Sequence, residues 1–431
     1  MDLSSIVTIF TRFTMSYLLF HPSVAPFVQQ AARALYEAGQ LEQFVTTVRD
    51  DPSSARQRLF CALGRMMGTD LRSQFRRRAV TEIPAHCVKS HPWGELLRLA
   101  TGRLDRDGRL TDMIWERTEI GFDRRVARKL HRGLTGVYGY EHSSLATFLQ
   151  ARSLGLRVIY DVPAPESEFV HELLGRELDR FPEMRTAYHR HTAIREERRL
   201  ARRRAEWKCA DVIIAASQFT RDSYVQAGLD VTRVRIIPYG APPPVTSAVA
   251  PTPNNTAPLT FLWAGTFSIR KGAHYLLEAW RAGRFGQHAR LLVFGTVMLP
   301  DRITKPLPEG VEFRGSVPRA ELMEFYHRRD ALVFPTLCDG FGMVVTESWS
   351  QGLPVITTHN AGAADLIKPG KNGLLIEPAS VDALVGALDW CTSHREELCA
   401  MRTEALATAT AWQWQDYRQA LRDVIFKKPE S

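Results

Sequence analysis

The sequence predicts an α/β protein built from two doubly wound halves, and three observations carry the prediction. Short apolar runs alternate with amphipathic segments through most of the chain, the pattern of parallel strands covered by helices. The alternation stops once, in a proline-rich stretch, and then resumes. At 431 residues the chain also exceeds what one ordinary core accommodates, so two domains are the simplest arrangement.

In the first half, residues 16–20 read as a strand and 24–38 as a helix ending at Gly39. Residues 136–140 and 156–160 read as further strands, with 211–216 and 235–238 as the last two. Between Tyr239 and Pro258 six prolines sit among small and polar residues, which favours an extended linker. Strands follow at 259–264, 289–294, 311–313, 331–334, 354–357 and 373–376. The expected domains are therefore 1–240 and 259–411, joined by a linker at 241–258, with a terminal segment at 412–431. Ligands of doubly wound sheets bind beyond the carboxyl ends of the strands, so two such domains facing across a cleft would hold substrate there.

Composition excludes several classes. Hydrophobic residues at 45% and charged residues at 24% are those of a folded globular protein. Six cysteines without a Cys-x-x-Cys pair read as free thiols rather than a zinc site or a disulfide framework. The apolar stretch at 15–20 is too short to span a bilayer or act as a signal peptide, which leads us to expect a cytoplasmic protein. The net charge of +9 suits phosphate-bearing substrates or anionic lipid. Its densest block, 195–208, mixes Glu196, Glu197 and Glu206 with seven cations and reads as a solvated helix face rather than a nucleic-acid site.

Two segments carry chemistry. In the first, a strand runs through Gly265 into a helix with Arg270 and Lys271 at its entrance. Free amides and the positive end of the helix dipole favour an anion there, two cations add to that field, and a diphosphate is the natural guest. The plain alternative is a solvated basic pair in a loop. In the second, Asp339 and Glu347 stand eight positions apart across a turn containing Gly340, Phe341 and Gly342, and Met343 opens a helix. Glu347 lies among apolar residues and needs a hydrogen-bonded partner: a pair of ribose hydroxyls, or equally a neighbouring basic side chain.

These segments resemble the donor-binding half of the retaining GT-B glycosyltransferases of family four, whose hallmark is an acidic residue, seven intervening residues and a glutamate. Asp339 to Glu347 fits that spacing, with aspartate where glutamate is commoner. The similarity continues in family order through Gly352 to Ile356, Asn360 to Gly362, Asp365 to Ile367 and Lys371 to Leu375, and covers 210–217 and 236–240 upstream. The resemblance implies a metal-independent enzyme without cofactor that moves a hexose from a nucleoside-diphosphate sugar to a saccharide or lipid-linked acceptor in cell-envelope or exported polysaccharide synthesis. On it, the first domain takes the acceptor. Arg270 and Lys271 neutralise the diphosphate, Glu347 holds the ribose, and Gly265 lies beside the donor. Asp339 with the amides of Gly340, Phe341 and Gly342 binds sugar and phosphate, and the backbone near Val317 meets the base.

The chain departs from the family at Thr266, where an arginine is usual, so that Arg270 would take that role, and at His21 to Pro26, which replace a glycine-rich loop. Glu141, His142 and Asp161 follow apolar strands where acceptor-side residues would fall, and each could equally be a cap or turn residue. Asp105 and Asp107 match a metal-binding Asp-x-Asp only in letters and read as a loop between glycines. Trp412 and Trp414 precede a last helix at 416–426, which in such enzymes crosses back onto the first domain; packing on its own domain is the alternative. A phosphorylase or epimerase on the same fold, or a non-catalytic sugar-nucleotide-binding scaffold, are the competing functions. Finally, Leu71 and Phe75 beside Arg72, Arg76, Arg77 and Arg78 suggest a basic amphipathic helix for peripheral contact with the inner face of an anionic membrane.

Overall fold

A computed structural model describes residues 16–66, 70–101, 105, 108–246 and 257–426. It contains a seven-stranded sheet of order β3-β2-β1-β4-β5-β6-β7 and a six-stranded sheet of order β10-β9-β8-β11-β12-β13. The strands of the first are β1 (Tyr17–Phe20), β2 (Leu41–Thr46), β3 (Val88–Ser90), β4 (Gly136–Tyr140), β5 (Arg157–Val162), β6 (Val212–Ala215) and β7 (Val234–Ile236). Those of the second are β8 (Leu259–Ala264), β9 (Ala289–Phe294), β10 (Val311–Gly315), β11 (Ala331–Phe334), β12 (Val355–Thr358) and β13 (Gly373–Ile376). Neighbouring strands run parallel, as in the registers Tyr17↔Gly136, Leu259↔Ala289 and Leu332↔Val355.

Packing divides the chain into two compact units. The first comprises Met1–Leu104, Thr111–Ile159 and Cys209–Asp211; the second comprises Asp105–Leu110, Tyr160–Lys208 and Val212–Ser431. Within the first unit, β1 and β4 are buried along their whole length, as their unbroken apolar sequences require. Helix α1 (Pro26–Glu37) starts with proline at its first turn, which needs no amide donor, and turns its Val28, Ala31 and Leu35 face inward. Three further helices are α2 (Ala55–Met66), α3 (Leu71–Arg76) and α4 (Trp93–Thr101). Phe75 of α3 is buried within the unit, so Arg72 and Arg76 are exposed without Phe75 as the apolar neighbour that the sequence suggested.

The second unit is centred on the six-stranded sheet, with Trp263, Trp280 and Trp349 among its largest fully buried side chains. The helix Ser167–Arg180 packs Leu173, Leu174 and Leu178 against that core. The block expected as a solvated helix face lies on the helix Glu196–Cys209, of which Glu206 belongs to the buried side with Trp207: Tyr160 Oη donates to Glu206 at 2.9 Å. Of the expected linker, residues 247–256 lie outside the described residues. Its preceding flank is tied down, since Ala241 N donates to Trp412 O at 2.9 Å and Val245 N to Ser350 O at 2.8 Å. The terminal helix runs Trp414–Phe426, two residues longer at its start than expected. It is anchored on the segment after β7: Trp412 Nε1 donates to Pro238 O at 2.9 Å, and Tyr239 packs against both Trp414 and Tyr417.

Trp349 links this core to the site below, because it shares the helix Met343–Ser350 with Glu347 and donates from Nε1 to Asn372 O at 2.9 Å. Trp349→Ala should destabilise the chain by about 3–5 kcal/mol. Trp349→Phe, which keeps an aromatic ring but loses the indole N–H and orphans a buried carbonyl, should cost about 1–3 kcal/mol. Chemical denaturation of the two variants checks both values, and equal stability of all three proteins would contradict the packing described.

Candidate functional site

The order of the six-stranded sheet reverses between β8 and β11: the chain winds outward through β9 and β10 on one side, and through β12 and β13 on the other. Adjacent loops diverge at such a switch point and leave a crevice beyond the strand ends. The two segments singled out in the sequence are the loops that follow β8 and β11.

After β8 the chain passes Gly265 at φ +109°, makes a single 3₁₀ turn over Ile269–Lys271, and enters the helix Ala273–Ala282 through Gly272 at φ +72°. Glycine is required at this entry, because a Cβ on Gly272 would lie 1.9 Å from the carbonyl oxygen of Pro335, in the loop after β11. The loops are stitched together there. Leu337 N donates to Arg270 O at 2.9 Å, Thr336 Oγ1 to the same oxygen at 3.2 Å, and Arg270 Nη1 to Cys338 O at 3.0 Å.

This brings Lys271 against Asp339, and the two form an ion pair with both side chains mostly buried. Lys271 Nζ also sits 4.8 Å from the centroid of the Phe334 ring. Burial, and after it the Arg270 charge, pull the Lys271 ammonium well below the ordinary lysine pKa. The Asp339 carboxylate stands beside it as its ion-pair partner. The loop thus presents two adjacent cations, one of them already matched by a carboxylate.

Asp339 does more than pair. Its Oδ1 accepts from Phe341 N at 3.2 Å, its own N donates to Asn360 O at 2.9 Å, and its O accepts from Gly362 N at 2.9 Å. The Phe341 amide, expected to face a ligand, is therefore engaged by the side chain two residues before it. Gly340 is held just as tightly: its carbonyl accepts from Ser217 Oγ at 2.7 Å and Thr220 Oγ1 at 3.1 Å. A Cβ on it would lie 2.0 Å from Pro163 O. Gly342, at φ +82°, caps the helix Met343–Ser350 that carries Glu347.

Glu347 has the basic partner that the sequence left as one of two readings. Arg319 Nη2 lies 3.0 Å from its Oε1, with the glutamate side chain 12% exposed and the arginine 54%. Burial raises the Glu347 pKa and Arg319 opposes that rise. Arg319 opens the helix Arg319–Arg328 and stands two residues beyond Val317, which is half-buried after β10. Nothing in the local sequence marked Arg319, because the pairing spans 28 positions and depends on how the helices after β10 and β11 pack.

Asp161, at the end of β5, is fully buried in the same unit. It faces Tyr239, whose hydroxyl is pushed well above its ordinary pKa by burial first and by the Asp161 charge second. Tyr239 in turn packs edge-on against Phe341 at 5.3 Å, so Asp161 belongs to the surroundings of the Gly-Phe-Gly turn. Glu141 and His142 lie in the first unit, after β4. There His142 Nε2 is 3.8 Å from Glu141 Oε1, and His142 adopts φ +83°, a backbone region rare for a side-chain-bearing residue. His21, after β1, has its imidazole brought down to about 4, chiefly by burial and further by His142. Strand order reverses between β1 and β4 as well, so these three residues occupy the switch point of their own sheet.

Asp105 is described but Asp107 lies outside the described residues. Among the described residues no group of three or more His, Cys, Asp or Glu side chains is placed to hold a metal ion.

Residues 247–407 match the family model described as Glycosyl transferases group 1. The chain is 27% identical over 123 residues to a D-inositol 3-phosphate glycosyltransferase of Corynebacterium urealyticum, covering 28% of this chain and 29% of that protein. It is 27% identical over 135 residues to the capsular polysaccharide biosynthesis glycosyltransferase CapM of Staphylococcus aureus, covering 30% and 35% respectively. The chain thus matches well under half the length of these curated relatives. The crystal structure of Anabaena Alr3699/HepE in complex with UDP-glucose superposes with a TM-score of 0.61 at 15% identity, over 95% of this chain and 99% of that one. At that identity the likeness is one of fold, and the fold of two Rossmann-like α/β domains is GT-B.

Arg319→Ala should remove the cation that favours ionised Glu347 while leaving the carboxylate buried. The pKa of Glu347 then rises further, so any affinity that needs the carboxylate is lost at a higher pH than in the parent protein. Because Arg319 is half exposed, the effect near neutrality should be modest, about 1.5- to 5-fold in the dissociation constant of a nucleoside diphosphate. It should grow as the pH falls. Calorimetric titration at several pH values checks this, and a parallel acid profile in the two proteins would refute it.

Proposed function

We propose that this protein is a glycosyltransferase that moves a hexose from a nucleoside-diphosphate sugar to a saccharide or lipid-linked acceptor, with retention of configuration, in the cytoplasm and in the service of envelope or exported polysaccharide synthesis. The observation that carries the reading is the junction of the loops after β8 and β11, which gathers Arg270, Lys271 and Asp339 at the switch point of the six-stranded sheet, with Glu347 one helix turn beyond the same loop. The group 1 family model over this unit and the UDP-glucose held by Alr3699/HepE support the same reading.

In this reaction the bond between the anomeric carbon and the diphosphate oxygen breaks, and negative charge grows on the departing diphosphate. Arg270 and Lys271 meet that charge with preorganised cations in a partly dry loop, which is where such stabilisation is most effective. Asp339 holds Lys271 in place and lends its carboxylate to the sugar. Glu347 accepts from the ribose hydroxyls in place of Arg319. The acceptor hydroxyl bonds to the anomeric carbon from the face the diphosphate leaves, and its proton passes to the departing phosphate oxygen. Metal is not needed on this reading, because the two cations do its work.

Lys271→Ala should reduce nucleoside-diphosphate release by about 10²- to 10³-fold. Undiminished turnover would overturn the assignment. A thermal-shift panel of UDP-, GDP- and ADP-sugars should single out one base by the largest rise in melting temperature. Donor incubated alone, with phosphate, or with oligosaccharide acceptors separates the reading from its rivals. Conversion without acceptor marks an epimerase, conversion driven by phosphate a phosphorylase, and tight binding without any turnover a scaffold.

A further inference from the structure

The helix Ser167–Arg180 precedes β6 in the chain, yet it belongs to the second unit and lies beside the helix Ala273–Ala282. Leu173, Leu174 and Leu178 hold it on the core there, and Phe181 packs edge-on against His274 at 5.0 Å and Tyr275 at 5.7 Å. One carboxylate oxygen of this helix, Glu177 Oε2, accepts from Tyr275 Oη at 2.9 Å and lies 3.2 Å from His274 Nε2. Arg180 Nη1 donates to the same tyrosine hydroxyl at 3.2 Å, which turns the phenolic proton toward Glu177. All three partners of this contact are largely shut off from water: His274 and Tyr275 are buried, and the Glu177 side chain is 12% exposed.

Desolvating these groups is unfavourable, so the contact needs a reason. Burial pushes the Glu177 carboxyl up, and the hydrogen bonds from His274 and then Tyr275 more than reverse it, leaving its pKa below the ordinary glutamate value. His274 Nδ1 is buried without a hydrogen-bond partner among the described residues. What the contact secures is the start of the helix Ala273–Ala282, of which His274 and Tyr275 are the second and third residues, three and four positions after Lys271. That helix has no side-chain cap, because Gly272 stands at its N-cap, and no acidic residue lies in its first turn. A capping side chain there would occupy amides that an anion beside Arg270 and Lys271 would use. Glu177 holds the same turn through side chains alone.

We propose that Glu177 is a positioning residue: by clamping His274 and Tyr275 it sets the first turn of this helix, and with it the Ile269–Lys271 turn, where Arg270 and Lys271 grip a diphosphate. The role rests on the diphosphate-binding reading of that loop given above. Leu337 N and Thr336 Oγ1 fasten the loop on one side, at Arg270 O. On the other side stands Gly272 at φ +72°, a residue whose backbone offers little resistance to reorientation, and Glu177 supplies the second fixed point just beyond it. A clamp serving only to keep the helix Ser167–Arg180 on the core would be redundant, since Leu173, Leu174, Leu178, Phe181 and the buried Met184 already anchor this segment. Glu177 acts through the two side chains it holds and not through its charge, which would repel the same diphosphate.

The test is calorimetric titration of the full chain with UDP, GDP and ADP, alongside E177A, E177Q, Y275F and K271A, at a temperature where circular dichroism shows each protein folded. E177A should raise the dissociation constant of the diphosphate that the parent binds most tightly by about tenfold, as loosening a preorganised site does. E177Q keeps an oxygen for both donors and should bind within about twofold of the parent. Y275F, which keeps the ring but loses one donor, should weaken binding by about threefold, and it carries the test if E177A does not fold. Parental affinity in E177A, or in Y275F where E177A is unfolded, overturns the proposal. Equal losses in E177A and E177Q also overturn it, in favour of a role for the charge. Binding weakened by K271A but not by E177A leaves the reading of the loop standing and removes only the positioning role, whereas a parent protein that binds none of the three diphosphates removes both.

Discussion

The carbonyl oxygen of Arg270 is the point on which the site depends. It accepts from Leu337 N and Thr336 Oγ1, and the missing side chain of Gly272 lets the Pro335 carbonyl approach that closely. Two loops that leave neighbouring strands at a switch point would otherwise diverge. Fastened here, they set Lys271 against Asp339 and, through the Gly340–Gly342 turn, aim the helix of Glu347. Lys271, Asp339 and Glu347 take no side-chain part in this fastening, whereas Arg270 does through Nη1 on Cys338 O, so on the proposed function it is the first three whose partners can change without loosening the loops.

The charges are arranged to make such an exchange inexpensive. Both Lys271 and Glu347 are desolvated, and each has an oppositely charged neighbour, Asp339 and Arg319. A buried charge left alone is strongly penalised, and burial pulls the Lys271 pKa down and pushes the Glu347 pKa up; the neighbouring opposite charges offset part of that penalty. One partner, Arg319, is half exposed, and on the proposed function it would retire to water when ribose hydroxyls take its place. The other, Asp339, is held by backbone contacts on both sides and stays within reach of whatever Lys271 binds.

Much of this was legible in the sequence, and the exceptions have physical reasons. β8 and β11 are largely apolar runs buried on both faces, β9 is so from Leu291 to Phe294, and all three stand where periodicity puts them. β2 was not visible, since Leu41–Thr46 opens with a half-exposed, polar stretch, and β3 is only three residues long. Arg270, Lys271, Asp339 and Glu347 were legible as residues but not as pairs, because Lys271 and Asp339 are 68 positions apart and meet only through strand order. The same holds for Asp161, which a strand-end position suggested and which only the packing of Tyr239 on Phe341 relates to the turn. Phe75 looked surface-bound by periodicity, but its burial in the first unit overrode the local pattern.

The Gly340 carbonyl lies where three stretches of backbone cross: Ser217 and Thr220 hold it from one side, and a Cβ on Gly362 would sit 2.1 Å from it on another. Main chain packed this closely and held by two buried hydroxyls tolerates few exchanges of side chain. Attempts to retune ligand preference by directed evolution would thus find this region barren. On the proposed function, useful variation lies instead at Thr266, Val317 and Arg319, which are exposed or half-buried.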